Sequence, residues 1–470
     1  MGKKISKEGK SIVIGGGIAG LLASRVLSEH FANVLLIERD HYPESAGPRN
    51  GTPQANHVHV LLMKGKQLLM DLFPNLERNL LDKGAHKIDL LADARYLLKT
   101  GWAMSFDSGM YTIACTRQLL EHAIRNEILT HYTNIDILED TRVTGLVVGE
   151  NRREEDNVNH HRTIVGITTV FQNIQRIIYG QLIVDASGRN NETPNWLEKL
   201  GFGRPPETKV NSYIGYATRQ FRPRLKNNHP NWKVMIILTQ PPDNPRMGII
   251  YPAEKDLWWV GILGIGKTYP PTIEEGFLDF VQKLGGNEIY EAIKDADPVS
   301  QIYGYRENGS RRYHYEKMKI WPENFIAIGD SVSAFNPFYA QGITTAAIGA
   351  TVLNKSLHDF RRRRDRKPTK DLIGFSKEFQ KRIAKVNSFP WLLGTSEDLR
   401  WPTTEGQSPN FVTRLMQKYS NHVMLLGPKS HIATKSFFEM MHMVKSPLVL
   451  FHPKIILDMM FTKIMNIQRR

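Results

Sequence analysis

The stretch Ser11-Ile12-Val13-Ile14-Gly15-Gly16-Gly17-Ile18-Ala19-Gly20 decides the fold, because it satisfies the pattern Gly-x-Gly-x-x-Gly directly after a short β-branched strand. The pattern opens a helix that we expect from about Leu21 to His30, and Glu38 follows the next strand, Val34–Ile37. A glycine-rich turn between strand and helix, with an acid about 20 residues further on, is typical of a βαβ dinucleotide-binding unit.

Each residue of this pattern has a chemical reason. Gly15 permits the tight turn, Gly17 lets the backbone approach a pyrophosphate, and Gly20 lets the helix pack on the strand. The helix N-terminus offers free N–H groups and the positive end of its dipole to phosphates. Glu38 is placed to bind ribose hydroxyls, which favours FAD or NAD over NADP, although Arg39 beside it weakens that preference. The pattern alone does not separate FAD from NAD.

Composition and charge narrow the class of protein. The chain has 470 residues, 41% of them hydrophobic, and a formal net charge of +15, which predicts more than one globular domain. The basic run Arg361–Lys367 is expected to form a solvated loop. Because no aromatic-interleaved basic face or nucleic-acid motif accompanies it, no nucleic-acid partner is expected. The lone Cys115 excludes a disulfide framework and a Cys-rich metal site, and no secretory signal or spanning segment is found, so a cytoplasmic protein is expected.

The strand Phe325–Ile328 is followed by Gly329-Asp330, by Asn336-Pro337-Phe338-Tyr339-Ala340-Gln341-Gly342 and then by a helix. This arrangement resembles the second FAD motif of the flavoproteins related to para-hydroxybenzoate hydroxylase. The resemblance implies that Asp330 binds the ribityl chain of the flavin and that Pro337 and Gly342 belong to the cofactor site. The family usually has glycine where this chain has Ala340, so the backbone there must be open to alanine.

Two shorter motifs fit the same family. The segment Val184–Arg189 resembles the motif that this family places between its two FAD motifs and implies a cofactor role for Asp185, with a plain strand and turn as the alternative. The segment Thr116–Glu121 is similar to the place where the family uses an arginine, here Arg117, to reach the flavin or its pyrophosphate. Thr116 is also a plausible N-cap of the helix that follows.

A further loop, Arg49-x-Gly51-x-Pro53-Gln54-x-x-His57-x-His59, resembles FAD-dependent monooxygenases related to polyether epoxidases and, more distantly, to squalene epoxidase. The resemblance implies a place near the isoalloxazine for Arg49, where a positive charge would favour reduced flavin. His57 and His59 are candidate proton donors or substrate contacts; the alternative is that they only hydrogen-bond the loop. They lack a third ligand at a suitable spacing, so no metal site is expected.

The expected fold is α/β, with a discontinuous Rossmann-like FAD-binding domain, a β-sheet substrate domain and a helical C-terminal region. The FAD-binding domain is expected over 1–205, with an inserted part of the substrate domain near 75–110, and again over 321–357. The substrate domain is expected over 206–320 and the helical region over 358–470. A helix is expected over Val58–Leu69. A small antiparallel layer is expected from Ile135–Leu138, Arg142–Val148, Ile164–Phe171 and Ile177–Val184.

The resemblance implies a monooxygenase that uses FAD, with NADPH or NADH as electron donor, and acts through a flavin C4a-hydroperoxide. One oxygen of O2 would enter an apolar substrate, a polyene, terpenoid or aromatic, by epoxidation or hydroxylation. The strands within Ser212–Ile265 are expected to line the substrate pocket, although core packing is the more frequent role for any single one of their large side chains, which are Tyr213, Tyr216, Met235, Ile237 and Trp258. No convincing buried base is recognisable in the sequence, which slightly favours epoxidation.

Other functions remain open. A flavoprotein reductase or halogenase has the same fold, although the Trp-x-Trp-x-Ile-Pro motif of flavin halogenases is absent. A non-redox cyclase that retains FAD is a further alternative. A simple NAD-dependent dehydrogenase is disfavoured by Gly329-Asp330. The apolar segment Phe437–Ile467 is expected to form a packed helical cap, or alternatively a peripheral membrane contact.

Overall fold

A computed structural model describes residues 7–149, 162–224, 230–306, 309–364 and 372–467. In the described chain the strands are β1 Lys10–Ile14, β2 Asn33–Ile37, β3 His86–Asp89, β4 Ala94–Leu98, β5 Gly101–Trp102, β6 Tyr111–Ala114, β7 Ile135–Leu138, β8 Arg142–Val148, β9 Ile164–Phe171, β10 Ile174–Tyr179, β11 Leu182–Asp185, β12 Glu207–Val210, β13 Gly215–Arg222, β14 Val234–Ile237, β15 Arg246–Ala253, β16 Leu257–Gly264, β17 Asp297–Pro298, β18 Tyr303–Arg306, β19 Ser310–Tyr313, β20 Phe325–Ala327 and β21 Ser333–Ala334. The helices are α1 Ile18–Leu27, α2 Met63–Leu72, α3 Leu76–Asp82, α4 Arg117–His131, α5 Thr193–Lys199, α6 Glu274–Gln282, α7 Glu288–Ile293, α8 Gly342–Arg364, α9 Phe375–Asp398, α10 Phe411–Leu425, α11 His431–Met441 and α12 Pro453–Ile467.

The nucleotide-binding part is a five-stranded sheet in the order β20-β11-β1-β2-β7, and every neighbouring pair is parallel. Its central strands are runs of Ile, Val and Leu because a parallel sheet is buried on both faces. Ile12 on β1, Leu21 on α1, Ile326 on β20 and Leu353 on α8 share one hydrophobic core. The predicted α/β, Rossmann-like architecture is confirmed.

Two details of the predicted antiparallel layer are wrong. Ile135–Leu138 is the edge strand of the parallel sheet, paired with β2 in the register Val34↔Ile135. The run Ile177–Val184 divides into two strands that join different sheets, because Gly180 turns the chain between β10 and β11. The antiparallel layer itself consists of β8, β9 and β10.

The second large sheet has eight strands in the order β17-β13-β16-β15-β14-β4-β5, and β18 also pairs with β13. β4 comes from the segment near 75–110 and lies parallel to β14, in the register Val234↔Ala94. Phe277 and Phe280 of α6 pack on this sheet together with Met235 and Ile237 of β14. Those two β14 side chains therefore belong to a packed core, which agrees with the alternative of core packing for single residues of these strands.

Helices connect and flank the sheets. The predicted helix Val58–Leu69 begins only at Met63, because residues 58–62 are extended. α8 continues to Arg364 and so includes the first four arginines of the basic run, which was expected to be a loop. Basic side chains in the last turn of a helix favour its continuation because they face the negative end of its dipole. Lys367 lies outside the described residues.

The last part of the chain is helical, as predicted, with α9 to α12 following one another. α9 packs against α8 and thereby joins this region to the nucleotide-binding part. Val423, Ala433, Leu450 and Ile455 form a separate small core among the last helices. In the described ranges, no helix is both long and apolar enough to cross a membrane.

Candidate active site

The glycine-rich turn after β1 leaves the N-terminus of α1 open. Gly15 has a φ of 96°, and a Cβ atom there would lie 2.7 Å from the carbonyl oxygen of Ala186. A Cβ on Gly20 would lie 1.8 Å from the carbonyl oxygen of Gly15, so both positions require glycine. A Cβ on Gly17 would meet no atom within 4 Å. The free space is therefore on the side where a pyrophosphate would approach.

The other two family motifs meet this turn because β20, β11 and β1 are neighbouring parallel strands, whose carboxyl ends lie at one edge. A Cβ on Gly329 would lie 2.8 Å from Cβ of Ala19, which places the second motif against α1. Gly188 and Gly342, like Gly17, have nothing within 4 Å of a built Cβ. Three motifs that are distant in sequence thus each carry a glycine with open space beside it, and α8, which begins at Gly342, packs against α1.

Asp185 joins two of these motifs. Its buried carboxylate accepts hydrogen bonds from the Ser187 amide at 2.9 Å, from Thr193 Oγ1 at 2.6 Å and from Ser331 Oγ at 3.3 Å. Ser331 Oγ in turn accepts the amide of Gly188 at 3.0 Å. Burial raises the pKa of Asp185 even though these donors oppose the shift. The carboxylate is enclosed by the chain's own donors, which agrees with the strand-and-turn alternative for this motif.

Glu38, the predicted ribose ligand, lies in a buried cluster of charges. One of its oxygens accepts the amide of Gly16 at 2.6 Å, and the same oxygen is 3.1 Å from Nη1 of Arg49. Arg49 also pairs with Asp40 at 3.3 Å and with Glu121 at 2.7 Å. Burial lowers the pKa of Arg49, but Glu121 and Glu38 raise it by more. Arg39, in contrast, has a side chain that is 63% exposed.

A small polar pocket borders this cluster. Arg117, Glu121 and Arg125 line it from one face of α4, since they are spaced four residues apart. Tyr42 lines it from the opposite loop and donates a hydrogen bond to the carbonyl of Gly16 at 2.5 Å. The guanidinium groups of Arg49 and Arg125 both lie over the Tyr42 ring, at 5.0 and 4.7 Å from its centre. The pocket wall therefore carries three arginines.

Arg117 begins α4 after Thr116, which caps the helix by accepting the amide of Leu119 at 3.1 Å, as predicted. The side chain of Arg117 is 12% exposed, and burial lowers its pKa, while Glu121 and Asp330 act in the opposite direction. Its Nε atom has no hydrogen-bond partner among the described residues. The Nε–H group of Arg117 is therefore available to a ligand. The guanidinium group also interacts electrostatically with Asp330, the predicted ribityl ligand.

His57 and His59 line a second, small cavity, whose other lining residues are Val58, Cys115, Thr116, Tyr251, Pro252, Ala253 and Trp259. His57 shares a hydrogen bond of 3.0 Å with Thr218 Oγ1, and its ring is edge-on to Tyr216 at 4.6 Å. Nδ1 of His59 donates to the carbonyl of His57 at 2.9 Å, so the neutral ring leaves Nε2 as an acceptor.

Both imidazoles are neutral near pH 7. Burial, reinforced by His59, lowers the pKa of His57 to about 3. Burial and the charge of Arg117 lower the pKa of His59 to about 4. Neither ring can then donate a proton as an imidazolium at neutral pH. Among the described residues, no group of three His, Cys, Asp or Glu side chains is arranged to hold a metal ion.

The turn before α8 has an unusual backbone. Pro337 and Gly342 are exposed, whereas Gln341 between them is 1% exposed. Ala340 has φ 54° and ψ 25°, which is the left-handed conformation. The expectation of a backbone suited to alanine is therefore wrong, since the turn keeps the geometry that favours glycine. Neither amide atom of Gln341 has a hydrogen-bond partner in the described chain.

Sequence reasoning missed three residues of this region. Tyr42 and Arg125 line the polar pocket, and only the four-residue spacing of Arg125 from Glu121 and Arg117 could have indicated it. Asp398, at the end of α9, accepts a hydrogen bond from Asn336 Nδ2 at 2.8 Å, inside the second motif. No local signal connects two residues that are so far apart in the chain.

The fold is that of flavin-dependent oxygenases and halogenases of known structure. The flavin-dependent brominase Bmp2 matches 93% of this chain and 98% of its own with a TM-score of 0.61 and 14% identity. PqsL, a probable FAD-dependent monooxygenase from Pseudomonas aeruginosa, matches 84% of this chain and 98% of its own with a TM-score of 0.58 and 16% identity.

A relative in sequence is Protein Rv3254 of Mycobacterium tuberculosis, which is 28% identical over 359 residues, covering 74% of this chain and 72% of its own. No family model matches the chain. At these identities the solved structures establish the common fold.

Proposed function

We propose that the chain binds FAD along the edge of the parallel sheet, from Gly17 to Gly342. The observation that carries this proposal is the set of open glycines at Gly17, Gly188 and Gly342, each without an atom within 4 Å of a built Cβ. The α1 N-terminus suits the pyrophosphate, and Glu38 suits the adenosine ribose. The unused Nε of Arg117 and the unpartnered, buried amide of Gln341 suit a polar ligand.

We infer a different position for Arg49 from the one that the family resemblance implied. Its guanidinium group lies within 3.3 Å of both Glu38 and Asp40. In our proposal Arg49 therefore supports the ribose and pyrophosphate end of FAD. Arg117, whose pKa responds to Asp330, is the better candidate for a positive charge close to the flavin ring.

The proposed reaction is a monooxygenation with NADPH or NADH as electron donor. Bound FAD would supply the chemistry that passes two electrons to O2 and one oxygen atom to the substrate. The chain would bind and orient both molecules and exclude water. In this proposal Nε2 of His59 accepts a hydrogen bond from the bound molecules, since its ring is neutral and its Nδ1 is occupied.

The substrate in this proposal is a small apolar molecule, a polyene, terpenoid or aromatic. The cavity beside His57 and His59 supports this class, because most of its remaining lining consists of Val58, Tyr251, Pro252, Ala253 and Trp259. Of the residues that the structure describes, no charged one lines it. The finer resemblance to polyether epoxidases favours epoxidation of an alkene, and hydroxylation is the alternative.

Oxygen uptake tests the proposal. The FAD-loaded protein is mixed with NADPH or NADH in air, with and without panels of polyenes and phenols, and oxygen consumption and product mass are recorded. We expect that substrate accelerates the oxidation of the donor. The product should be heavier than the substrate by one oxygen atom, about 16 mass units. Bound flavin that neither donor reduces, with any substrate, would instead support the non-redox cyclase.

Halogenation is a second candidate, and the likeness of fold to the brominase Bmp2 favours it. The absence of Trp-x-Trp-x-Ile-Pro speaks against it. The same assay with added bromide or chloride separates the two reactions. A halogenated product, or turnover of an aromatic substrate only when halide is present, would replace monooxygenation by halogenation.

We also propose that the C-terminal helices contact an anionic membrane surface, from which an apolar substrate could enter. Large apolar side chains are exposed there, with Phe411 at 79%, Leu448 at 75% and Leu457 at 52%. Between residues 411 and 460 the chain has six Lys and Arg against two Asp and Glu. Exposed apolar side chains beside an excess of positive charge suit a negatively charged lipid interface.

A further inference from the structure

The carboxylate of Asp398 connects three distant segments of the chain. Its Oδ1 accepts hydrogen bonds from Ser212 Oγ at 2.9 Å, from Asn336 Nδ2 at 2.8 Å and from Tyr339 OH at 3.0 Å. Ser212 precedes β13 of the large sheet, and Asn336 and Tyr339 belong to the turn before α8. Asp398 itself ends α9. Sheet, turn and C-terminal helices therefore meet at one oxygen atom.

The turn depends on this contact for its position. Asn336 uses its other side-chain atom, Oδ1, to accept the amide of Phe338 at 3.0 Å, and so caps the turn from within. Its Nδ2 and the hydroxyl of Tyr339 both reach Asp398, so the two sides of the turn are held by the same carboxylate. Ser212, Asn336 and Asp398 are each no more than 1% exposed, which excludes water as a competing partner.

We propose that Asp398 is a positioning residue, whose ionised carboxylate holds the turn 336–341 in the conformation that binds FAD. This inference rests on the proposed FAD site and goes beyond it, because Asp398 lies outside every motif that the family resemblance supplied. Hydrogen bonds to an ionised carboxylate are about twice as strong as those to a neutral acceptor. Ionisation should therefore tighten the turn, and protonation should loosen it.

The protonation of this carboxyl group changes near neutral pH. Burial raises the pKa of Asp398 to about 7, while the donors Ser212, Tyr339 and Asn336 oppose the shift. Glu397 raises it further, and Glu397 is itself paired with Arg400 at 2.7 Å. Tyr339 keeps its proton, because burial and Asp398 raise its pKa well above the usual value. These are the titratable and charged groups that face Asp398 from the turn and from its own segment.

The two pH dependences that follow have opposite signs. A carboxyl group whose pKa is raised in the folded state lowers the free energy of unfolding as the pH rises towards 7. The affinity for FAD, in contrast, should increase between pH 6 and pH 8, because the ionised form holds the turn. If Asp398 only stabilised the fold, the affinity for FAD would follow the free energy of unfolding, and both would decrease as the pH rises from 6 towards 8.

The experiment measures the dissociation constant of FAD for the full chain at pH 6 and pH 8, by quenching of flavin fluorescence, together with thermal unfolding. We expect wild type to bind FAD about threefold to tenfold more tightly at pH 8. Asp398→Asn should bind about tenfold more weakly at pH 8 and show no such pH dependence. Glu405→Gln, in the same segment but bonded to Tyr213, should match wild type.

Tyr339→Phe gives a second measure, because it keeps the carboxylate and removes one donor. Since that donor lowers the pKa of Asp398, the midpoint of the FAD affinity change should move to higher pH. If wild type binds FAD but Asp398→Asn binds it equally well at both pH values, this inference is wrong and the proposed function stands. If wild type binds no FAD at any pH, the proposed function fails and the inference fails with it.

Discussion

Arg49 Nη1 lies 3.1 Å from Glu38 Oε2, and both side chains are buried. The sequence predicted that Glu38 binds the adenosine ribose and that Arg49 lies near the isoalloxazine, at the opposite end of the same cofactor. In the proposed site, their ion pair places the loop after β2 at the adenosine end of FAD. The positive charge that the resemblance expected near the flavin ring is then better supplied by Arg117.

The first prediction concerns this ion pair. Replacing Arg49 with Met should lower the free energy of unfolding by about 3–5 kcal/mol, because Glu38, Asp40 and Glu121 would lose their buried cation. Denaturant unfolding of the protein without added FAD measures the effect. Arg39→Met is the matched control, and with its exposed side chain it should change stability by no more than about 0.5 kcal/mol. Equal effects of the two substitutions would refute the buried cluster.

The second prediction concerns Ala340, whose φ is 54°. Ala340→Gly should raise the free energy of unfolding by about 0.5–1 kcal/mol, since relief of the left-handed strain exceeds the entropic cost of glycine. The same change at Ala346, inside α8, should lower it by about 1 kcal/mol. Loss of stability in both variants would show that Ala340 does not have a positive φ.

The third prediction concerns acid stability. Burial lowers the pKa of His57 to about 3 and that of His442 to about 4. A base with a lowered folded-state pKa contributes stability that is complete above its unfolded pKa, about 6.5, and is lost as the pH falls below that value. The contribution of these two histidines to the free energy of unfolding should therefore decrease between pH 6.5 and pH 4, opposite in sign to the contribution of Asp398 over the same range.

Urea unfolding at several pH values checks this decrease, and His442→Asn should make it smaller by about 1 kcal/mol or more. His422→Asn, at an exposed position on α10, is the control and should leave the decrease unchanged. If His442→Asn and wild type lose stability in parallel, His442 is not held neutral by burial.

The fourth prediction concerns the membrane contact. The double variant Phe411→Ser/Leu448→Ser should lose about tenfold or more in affinity for vesicles that contain phosphatidylserine, because two exposed apolar side chains are removed from the interface. Vesicle flotation measures the binding. Ile273→Ser, 68% exposed but remote from the C-terminal helices in sequence, should have no effect. Wild-type protein that stays unbound to anionic vesicles would end this proposal.

Much of the fold could be predicted from the sequence because its signals are local. The turn Gly15–Gly20 lies within one βαβ unit, and the Thr116 cap acts over three residues. The buried strands Leu182–Asp185 and Phe325–Ala327 were recognisable as short apolar runs. In each case the residues that make the structure are neighbours in the chain, and the physical reason lies in backbone conformation and helix capping.

The remaining features depend on partners that are distant in sequence. Ile135–Leu138 has the composition of either kind of strand, and only its pairing with β2 assigns it to the parallel sheet. Ser212 and Asp398 are 186 positions apart in the sequence, and no local pattern connects them. The position of Arg49 likewise could not be predicted, because it depends on how the fold places its carboxylate partners Glu38, Asp40 and Glu121. Candidate site residues were therefore predictable where motifs supplied them and not where packing did.

The most direct test of the central claim is the affinity for FAD of the wild type and of Gly17→Val. Fluorescence titration of the purified protein, after removal of any bound flavin, gives both dissociation constants, and thermal unfolding without FAD serves as the control. We predict that wild type binds FAD and that Gly17→Val loses at least about tenfold in affinity at unchanged stability, because Gly17 faces open space. A folded wild-type protein that binds no FAD would contradict the account.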